Sequence, residues 1–356
     1  MLLWMLVFVP IAIVLEFMVP QQHLLIFLAA ALAIVPLAGW LGRATEQLAE
    51  RSGEGVGGFL NATFGNATEL IIALSALRAG LHDVVKASLV GSIVGNILLV
   101  LGASMLAGGL RQKEQHYNAS AARSQATLLT LATIALILPA AYNAVVSPRA
   151  PHGLQVLSLY ISLVLLVVYA LFLVYSLITH KSLFAGDPNL AREAHPTALW
   201  STGKAVLVLA MATLMIAWIS EILVAAIEPS AHQLGLSNLF VGVFIVAILG
   251  NAAEHSSAIS AAMKNRMDLS LSIAIGSSVQ VALFVAPVLV LASYAIGSAA
   301  MDLAFSGGLV LTVLLAVLIT GQVAGDGRSD WLKGVQLIAV YLILGLAYFF
   351  TPDIPS

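Results

Sequence analysis

Long, unbroken apolar runs constrain this chain more than any other feature. Eleven stretches are each long enough to cross a hydrocarbon core as a helix, at approximately 2–19, 23–42, 58–78, 84–109, 124–142, 154–178, 203–227, 236–263, 268–295, 299–321 and 333–350. A core about 30 Å thick needs roughly 20 helical residues. Runs such as LYISLVLLVVYALFLVY are continuous, whereas barrel strands would be short and alternating. Of the 356 residues, 60% are hydrophobic and 9% charged. A water-soluble domain carries about 25% charged residues. The expectation is an all-α integral membrane protein with eleven transmembrane helices and the lipid bilayer as its solvent. No Lys or Arg precedes Trp4, so the first span lacks the basic start of a cleaved leader and is expected to be a retained helix.

Lys and Arg fall almost entirely on alternate loops. Twelve lie on one side (Arg43, Arg51, Arg111, Lys113, Arg123, Lys181, Arg192, Lys204, Lys264, Arg266, Arg328 and Lys333), and three on the other (Arg78, Lys86 and Arg149). Basic loops stay in the cytoplasm. The expected N-terminus is therefore cytoplasmic and the C-terminus outside, in a plasma (inner) membrane, or in an intracellular organelle membrane for a eukaryotic chain. The stretch 179–202, with Pro188 and Pro196, reads as a cytoplasmic linker. The segment 43–57 carries charges at helical spacing followed by glycines and reads as an interfacial helix.

Several function classes are excluded. A net charge of -2 gives no electrostatic footprint for nucleic acid. The absence of cysteine removes disulfides, thiolate catalysis, iron–sulfur clusters and cysteine zinc sites. No P-loop, H-E-x-x-H, G-x-S-x-G or dinucleotide fingerprint occurs, so ATP is not the driving force and no enzyme motif is present. No cofactor is expected.

The chain also repeats itself. GNATELIIALSALRAGLHDVVKASLVGSIV begins at Gly65, and GNAAEHSSAISAAMKNRMDLSLSIAIGSSV begins at Gly250, with a gapless offset of 185. The matches include Gly, Asn, Glu, Asp and Ser, which apolar helices do not share by chance. Four segments follow: an extra N-terminal helix (1–20), a first five-helix repeat (21–178), the linker (179–202) and a second five-helix repeat (203–356). Five is odd, so equivalent helices cross in opposite directions. Such inverted-topology repeats place substrate sites near the midplane.

Glu69 sits near the middle of its span, and Glu254 at the equivalent place in the second repeat. A carboxylate at that depth costs several kcal/mol and marks a functional site by default. Asn66 and Asn251 lie three residues earlier on the same helix face. Gly65 and Gly250 precede them and are expected to loosen the helix and expose carbonyls. The neighbouring spans supply Ser92 and Asn96 from GSIVGN, and Ser277, Ser278 and Gln280 from GSSVQ. Oxygen donors dominate this set, with His255 as the one nitrogen candidate. Oxygen-rich, flexible sites suit Ca²⁺, whereas soft metals want thiolate or imidazole and Mg²⁺ holds its water too tightly. Two ionised Glu neutralise Ca²⁺; without the ion, two carboxylates in low dielectric tend to take protons. Both loaded forms are neutral, which predicts exchange of one Ca²⁺ for about two H⁺, with Glu69 and Glu254 carrying the protons.

Plain structural readings stand beside these. Asn66 and Asn251 also suit interhelical hydrogen bonding, Ser92 and Ser277 suit close packing, and His255 suits either a satisfied core histidine or a proton relay. Asp83 and Asp268 suit helix capping or dipole complementarity ahead of an ion-entry role, and Glu221 either a secondary cation or proton contact or none. A sodium-coupled or broad-specificity cation exchanger, a passive cation channel and an intramembrane protease are the rival functions. Whether copies of the chain associate into a homo-oligomer stays open.

At GNATELIIAL, GNAAEHSSAIS, GSIVGN and GSSVQ, and at LVYSLITHKSLF, MDLAFS and SDWLKGVQLIAVYLILGLAYFF, the chain resembles the calcium/proton exchangers of the calcium/cation antiporter superfamily. The resemblance covers nearly the whole chain. It implies one helix plus five plus five, with Glu69 and Glu254 as paired cation ligands and proton carriers. Asn66 and Asn251 would complete the site, helped by Asn96 and Gln280. His255 after the second Glu matches the proton-coupled branch. The sodium-coupled branch carries a Pro where this chain has Thr68 and Ala253.

Overall fold

The apolar runs fold as helices in a computed structural model that describes residues 3–52, 54–146, 151–184, 200–297 and 299–351. The first half contains α1 (Trp4–Met18), α2 (His23–Ser52), α3 (Glu54–Phe64), α4 (Ala67–Arg78), α5 (His82–Gln112), α6 (Ala119–Val145) and α7 (His152–Thr179). The second half contains α8 (Thr202–Leu234), α9 (Asn238–Gly250), α10 (Ala252–Met263), α11 (Met267–Ser293), α12 (Gly307–Val323) and α13 (Trp331–Phe349). Among the described residues, seven helices are long and apolar enough to cross a membrane, or eight with α9 and α10 taken as one bent span. α1 and α12 are shorter apolar helices.

The structure departs from the sequence reading in four places. The stretch 58–78 is not one helix: it breaks between α3 and α4. The stretch 236–263 bends by 62° between α9 and α10. The segment 43–52 is no separate interfacial helix, because α2 runs on unbroken to Ser52; Ala44 and Thr45 are buried and keep that turn packed. The stretch before α12 starts late, at Gly307, where the Asp302 carboxylate accepts the Ala304 N–H at 2.8 Å and holds a turn instead. The all-helical expectation also omits a small antiparallel ladder, β1 (Glu114–His116) with β2 (Arg328–Asp330), which pairs Gln115 with Ser329. Most of the expected linker, 185–199, lies outside the described residues.

By its contacts the chain forms two units, each drawing on both sequence halves. Unit 1 comprises residues 1–91, 197–253 and 345–356. Its core is the long packing of α2 against α8. Small residues on α2 (Ala29, Ala30, Ala33) and branched ones on α8 (Ile216, Ile219, Leu223) are buried there. The opposite face of α8 presents Leu207, Met211, Leu214 and Trp218, all exposed. That spacing of four, three and four is one helix stripe, and an apolar exposed stripe calls for lipid rather than water. α5 enters this unit across α9. Gly91 lies on the Val243 backbone and Gly242 lies on Ala87, so each glycine admits the other helix.

Unit 2 comprises residues 92–196 and 254–344. α11 packs on α6 and on the end of α5, α12 packs on α6, and α7 packs on the latter part of α11. α13 crosses α5 where Gly102 meets Gly334. At one end of this unit β1–β2 ties the chain after α5 to the chain after α12. The Gln115 amide donates to Ala262 O at 2.8 Å and to Asn265 Oδ1 at 3.0 Å, fastening the end of α10 to the same strap.

Candidate functional site

Both helix breaks fall on the repeated glycine–asparagine pair. Asn66 has φ −99° and ψ 23°; Asn251 has φ −96° and ψ 6°. Both lie in the sparsely populated bridge region. A break of this kind leaves backbone carbonyls at the end of the first half-helix and N–H groups at the start of the second without helical partners. The carbonyl end suits a cation. The N–H end, the positive pole of the helix dipole, suits an anion. Glu69 stands in the first turn of α4 and Glu254 in the first turn of α10, where ionised carboxylates are most easily kept.

Unit 1 brings elements of both repeats around Glu69. Asn66 (2% exposed), Glu69 (9%) and Asn251 (1%) are all buried. A Cβ placed on Gly250 would stand 3.7 Å from Glu69 Cγ and 3.7 Å from Ile72 Cδ1. The glycine of the second repeat therefore lies directly against the glutamate of the first. Asn251 donates its Nδ2 to Ala247 O at 2.8 Å, which caps the end of α9. Gly65 N donates to Asn61 O at 2.8 Å, closing the last turn of α3.

Unit 2 does the same around Glu254. Asn96 Nδ2 donates to Ser277 Oγ at 3.1 Å, and the Ser277 hydroxyl hydrogen-bonds the Glu254 side chain. Asn96 belongs to the first repeat, Ser277 and Glu254 to the second. Ser278 donates to Ile93 O at 3.2 Å, joining α11 to α5 at the same level. Ser92 is buried nearby in sequence on α5. Glu254 Oε2 and His255 Nε2 are buried and take no hydrogen bond among the described residues. Buried polar atoms without partners are rare and point to a ligand or a proton.

The helices next to the breaks are also irregular at matching places. α5 widens to a π-helical turn at Gly95–Val100, and α11 does so at Val281–Val285, directly after Gln280. Such turns gather at functional sites because they release carbonyls and re-aim side chains. Thr320 Oγ1 donates to one carbonyl in the first of these turns, Ile97 O, at 3.3 Å.

Among the described residues, no three His, Asp or Glu side chains gather into one cluster. The polar set is instead carboxylate, amide, hydroxyl and carbonyl oxygen. Glu221 lies apart from it, in an exposed ion pair with Arg78 at 3.0 Å. Asp268 accepts the backbone N–H of Asn118 at 2.7 Å, so it supports the start of α6. Sequence reasoning missed Thr320, a polar residue inside an apolar span, and that was the available signal.

The sodium/calcium exchanger protein family matches residues 22–178 and 204–350. The chain is 44% identical to a Ca²⁺/H⁺ antiporter of Aphanothece halophytica, over 99% of this chain and 97% of that one. It is 46% identical to a Ca²⁺/H⁺ antiporter of Synechocystis sp., over 92% of each. Among solved structures, native YfkE superposes with a TM-score of 0.82 at 38% identity, covering 97% of this chain and 98% of that one. The chain with the paired Gly–Asn breaks and their first-turn glutamates therefore belongs to the sodium/calcium exchanger protein family.

Proposed function

We propose that this protein is a secondary active antiporter that moves Ca²⁺ out of the cytoplasm in exchange for H⁺. The observation that carries the reading is the repetition of one device: a Gly–Asn break followed by a first-turn glutamate, at Glu69 and again at Glu254. The names of the Aphanothece and Synechocystis relatives support the pair of ions.

In this reading Glu69 and Glu254 are the principal Ca²⁺ ligands. Asn66, Asn251, Asn96 and Gln280 add amide oxygens, Ser92 and Ser277 add hydroxyls, and the carbonyls before each break, at Gly65 and Gly250, complete an oxygen shell of the kind Ca²⁺ accepts. The same glutamates take the protons when the ion leaves, with His255 beside them as a relay. The Ca²⁺-loaded and doubly protonated forms are both neutral, whereas the empty, ionised form carries two negative charges that oppose passage through a low-dielectric state. Exchange is therefore obligatory. The architecture is one helix (1–20), two inverted five-helix repeats (21–178 and 203–356) and the linker 179–202, eleven spans in all. The N-terminus is cytoplasmic and the C-terminus is outside.

The test is an everted-vesicle assay. Ca²⁺ addition collapses an imposed pH gradient in the absence of Na⁺ for the wild type, and leaves it intact for Glu69→Gln and for Glu254→Gln. Exchange that requires Na⁺, or Ca²⁺ uptake without any counter-ion, rejects the reading.

A further inference from the structure

At the end of unit 2 where Lys113, Lys264 and Arg266 lie in loops and Arg123 in the start of α6, a small cavity opens between α6 and α11. Its space for a water centre is about 20 Å³, above the roughly 10–15 Å³ that one water requires. Asp268 and Ser272 line it from successive turns of α11, and Asn118 and Gln125 line it from α6 and its cap, with Tyr117 at the rim. Gln125 is 6% exposed, and it lines this cavity. Carboxylate, hydroxyl and amide groups on one wall suit a polar occupant that can bond to several of them.

The Gln125 carboxamide reaches deeper. A Cβ on Gly276 would stand 3.6 Å from Gln125 Nε2. Residue 276 precedes Ser277, whose hydroxyl binds Glu254. Asp268 and Ser277 are nine residues apart on α11, about 14 Å along a helix. No proton or ion crosses that distance in one step, and Ser272 and Gln125 stand in the gap. Among the described residues, Asp268 is the one carboxylate on the cavity wall. Tyr117 is the other titratable group there, and burial, then the Asp326 charge, push its phenol up, so it stays neutral. Its hydroxyl faces Val323 O and Arg328 O rather than the cavity.

We propose that Asp268, Ser272 and Gln125 hold a relay water on a polar route from the cytoplasmic end of unit 2 to the Ser277–Glu254 arm. Gln125 does not carry protons; it is a positioning residue that orders the water. The relay role rests on the antiporter reading above, while the water site itself does not.

Three variants of the full-length protein separate the two. Gln125→Leu keeps side-chain volume and removes the polar end. It slows exchange about tenfold, as expected for loss of an ordered bridging water, and changes the solvent isotope effect in D₂O. Ca²⁺ binding at equilibrium in detergent stays within about twofold, because the ligands are untouched. Wild-type exchange with an unchanged isotope effect overturns the proposal. Because the chain has no cysteine, Ser272→Cys carries a single thiol, and Ag⁺ from the cytoplasmic side should block exchange in that variant alone; insensitivity to Ag⁺ overturns the route even if Gln125→Leu does not fold. Glu254→Gln is the separate control: if it still exchanges, the proton-carrier reading fails, whereas the Ag⁺ result still reports on the cavity.

Discussion

Two glycines at repeat-related positions do different work. A Cβ on Gly91 would come within 2.7 Å of Val243 C and Cα, which are backbone atoms and cannot move aside. Its counterpart Gly276 faces only the end of Gln125 at 3.6 Å, an ordinary contact. Gly91→Ala is therefore expected to destabilise by about 1–3 kcal/mol through overpacking and to lower the melting temperature in detergent; an unchanged melting curve rejects the close approach of α5 to α9. At Asp326, burial pushes the carboxyl up, but hydrogen bonds from Lys333 and the Arg328 N–H, with the Lys333 charge, together hold it below its usual range. Lys333 Nζ lies 2.6 Å from Asp326 Oδ2. A lowered folded-state value means that the pair stabilises above the unfolded carboxyl value, about 4, and that this stabilisation is lost as pH falls through the folded one. Lys333→Met should flatten that part of the acid unfolding profile, and an identical profile in both proteins would show the pair to be idle. The Asp326 side chain is about half exposed although Lys333 is largely covered, so solvent screening keeps the effect small.

Element boundaries depend on caps that the sequence half reveals. Asn118 caps α6: its side chain accepts from Ser120 N at 3.0 Å and Ala121 N at 3.1 Å, and its own N–H goes to Asp268. The sequence reading starts this span near 124 and does not single out Asn118, although Asn before an alanine-rich start is a capping signal. The Asp268 contact was not legible, because it spans 150 residues. Replacing Asn118 with Ala should cost about 1 kcal/mol and show as a lower thermal midpoint. The breaks at Gly65–Asn66 and Gly250–Asn251 were legible as weak points, since glycine lowers helix stability and asparagine competes for backbone bonds. The 62° bend was not legible, because its size depends on what packs against each half-helix. The same holds for the π-helical turns at Gly95–Val100 and Val281–Val285. One extra residue per turn leaves no mark on an apolar run.

For the molecule as a unit, the alternation of basic loops makes a prediction that needs no transport. The protein is cysteine-free, so single cysteines report topology cleanly. A membrane-impermeant maleimide added to intact cells should label His82→Cys and leave Lys113→Cys unlabelled; the reverse pattern inverts the orientation. The amino-acid sequence alone determined that the solvent is lipid, that the chain repeats with an offset of 185, and that Glu69 and Glu254 are the residues to watch. These follow from local chemistry: twenty apolar residues need a bilayer, and a carboxylate among them needs a reason. Only the tertiary structure decided that Gly250 lies on Glu69 and that Asn96 reaches Glu254 through Ser277. It likewise sorted the chain into units that each take residues from both halves. Contacts between positions so far apart in the chain arise from which helix faces are small enough to approach one another, and spacing along the chain does not carry that information.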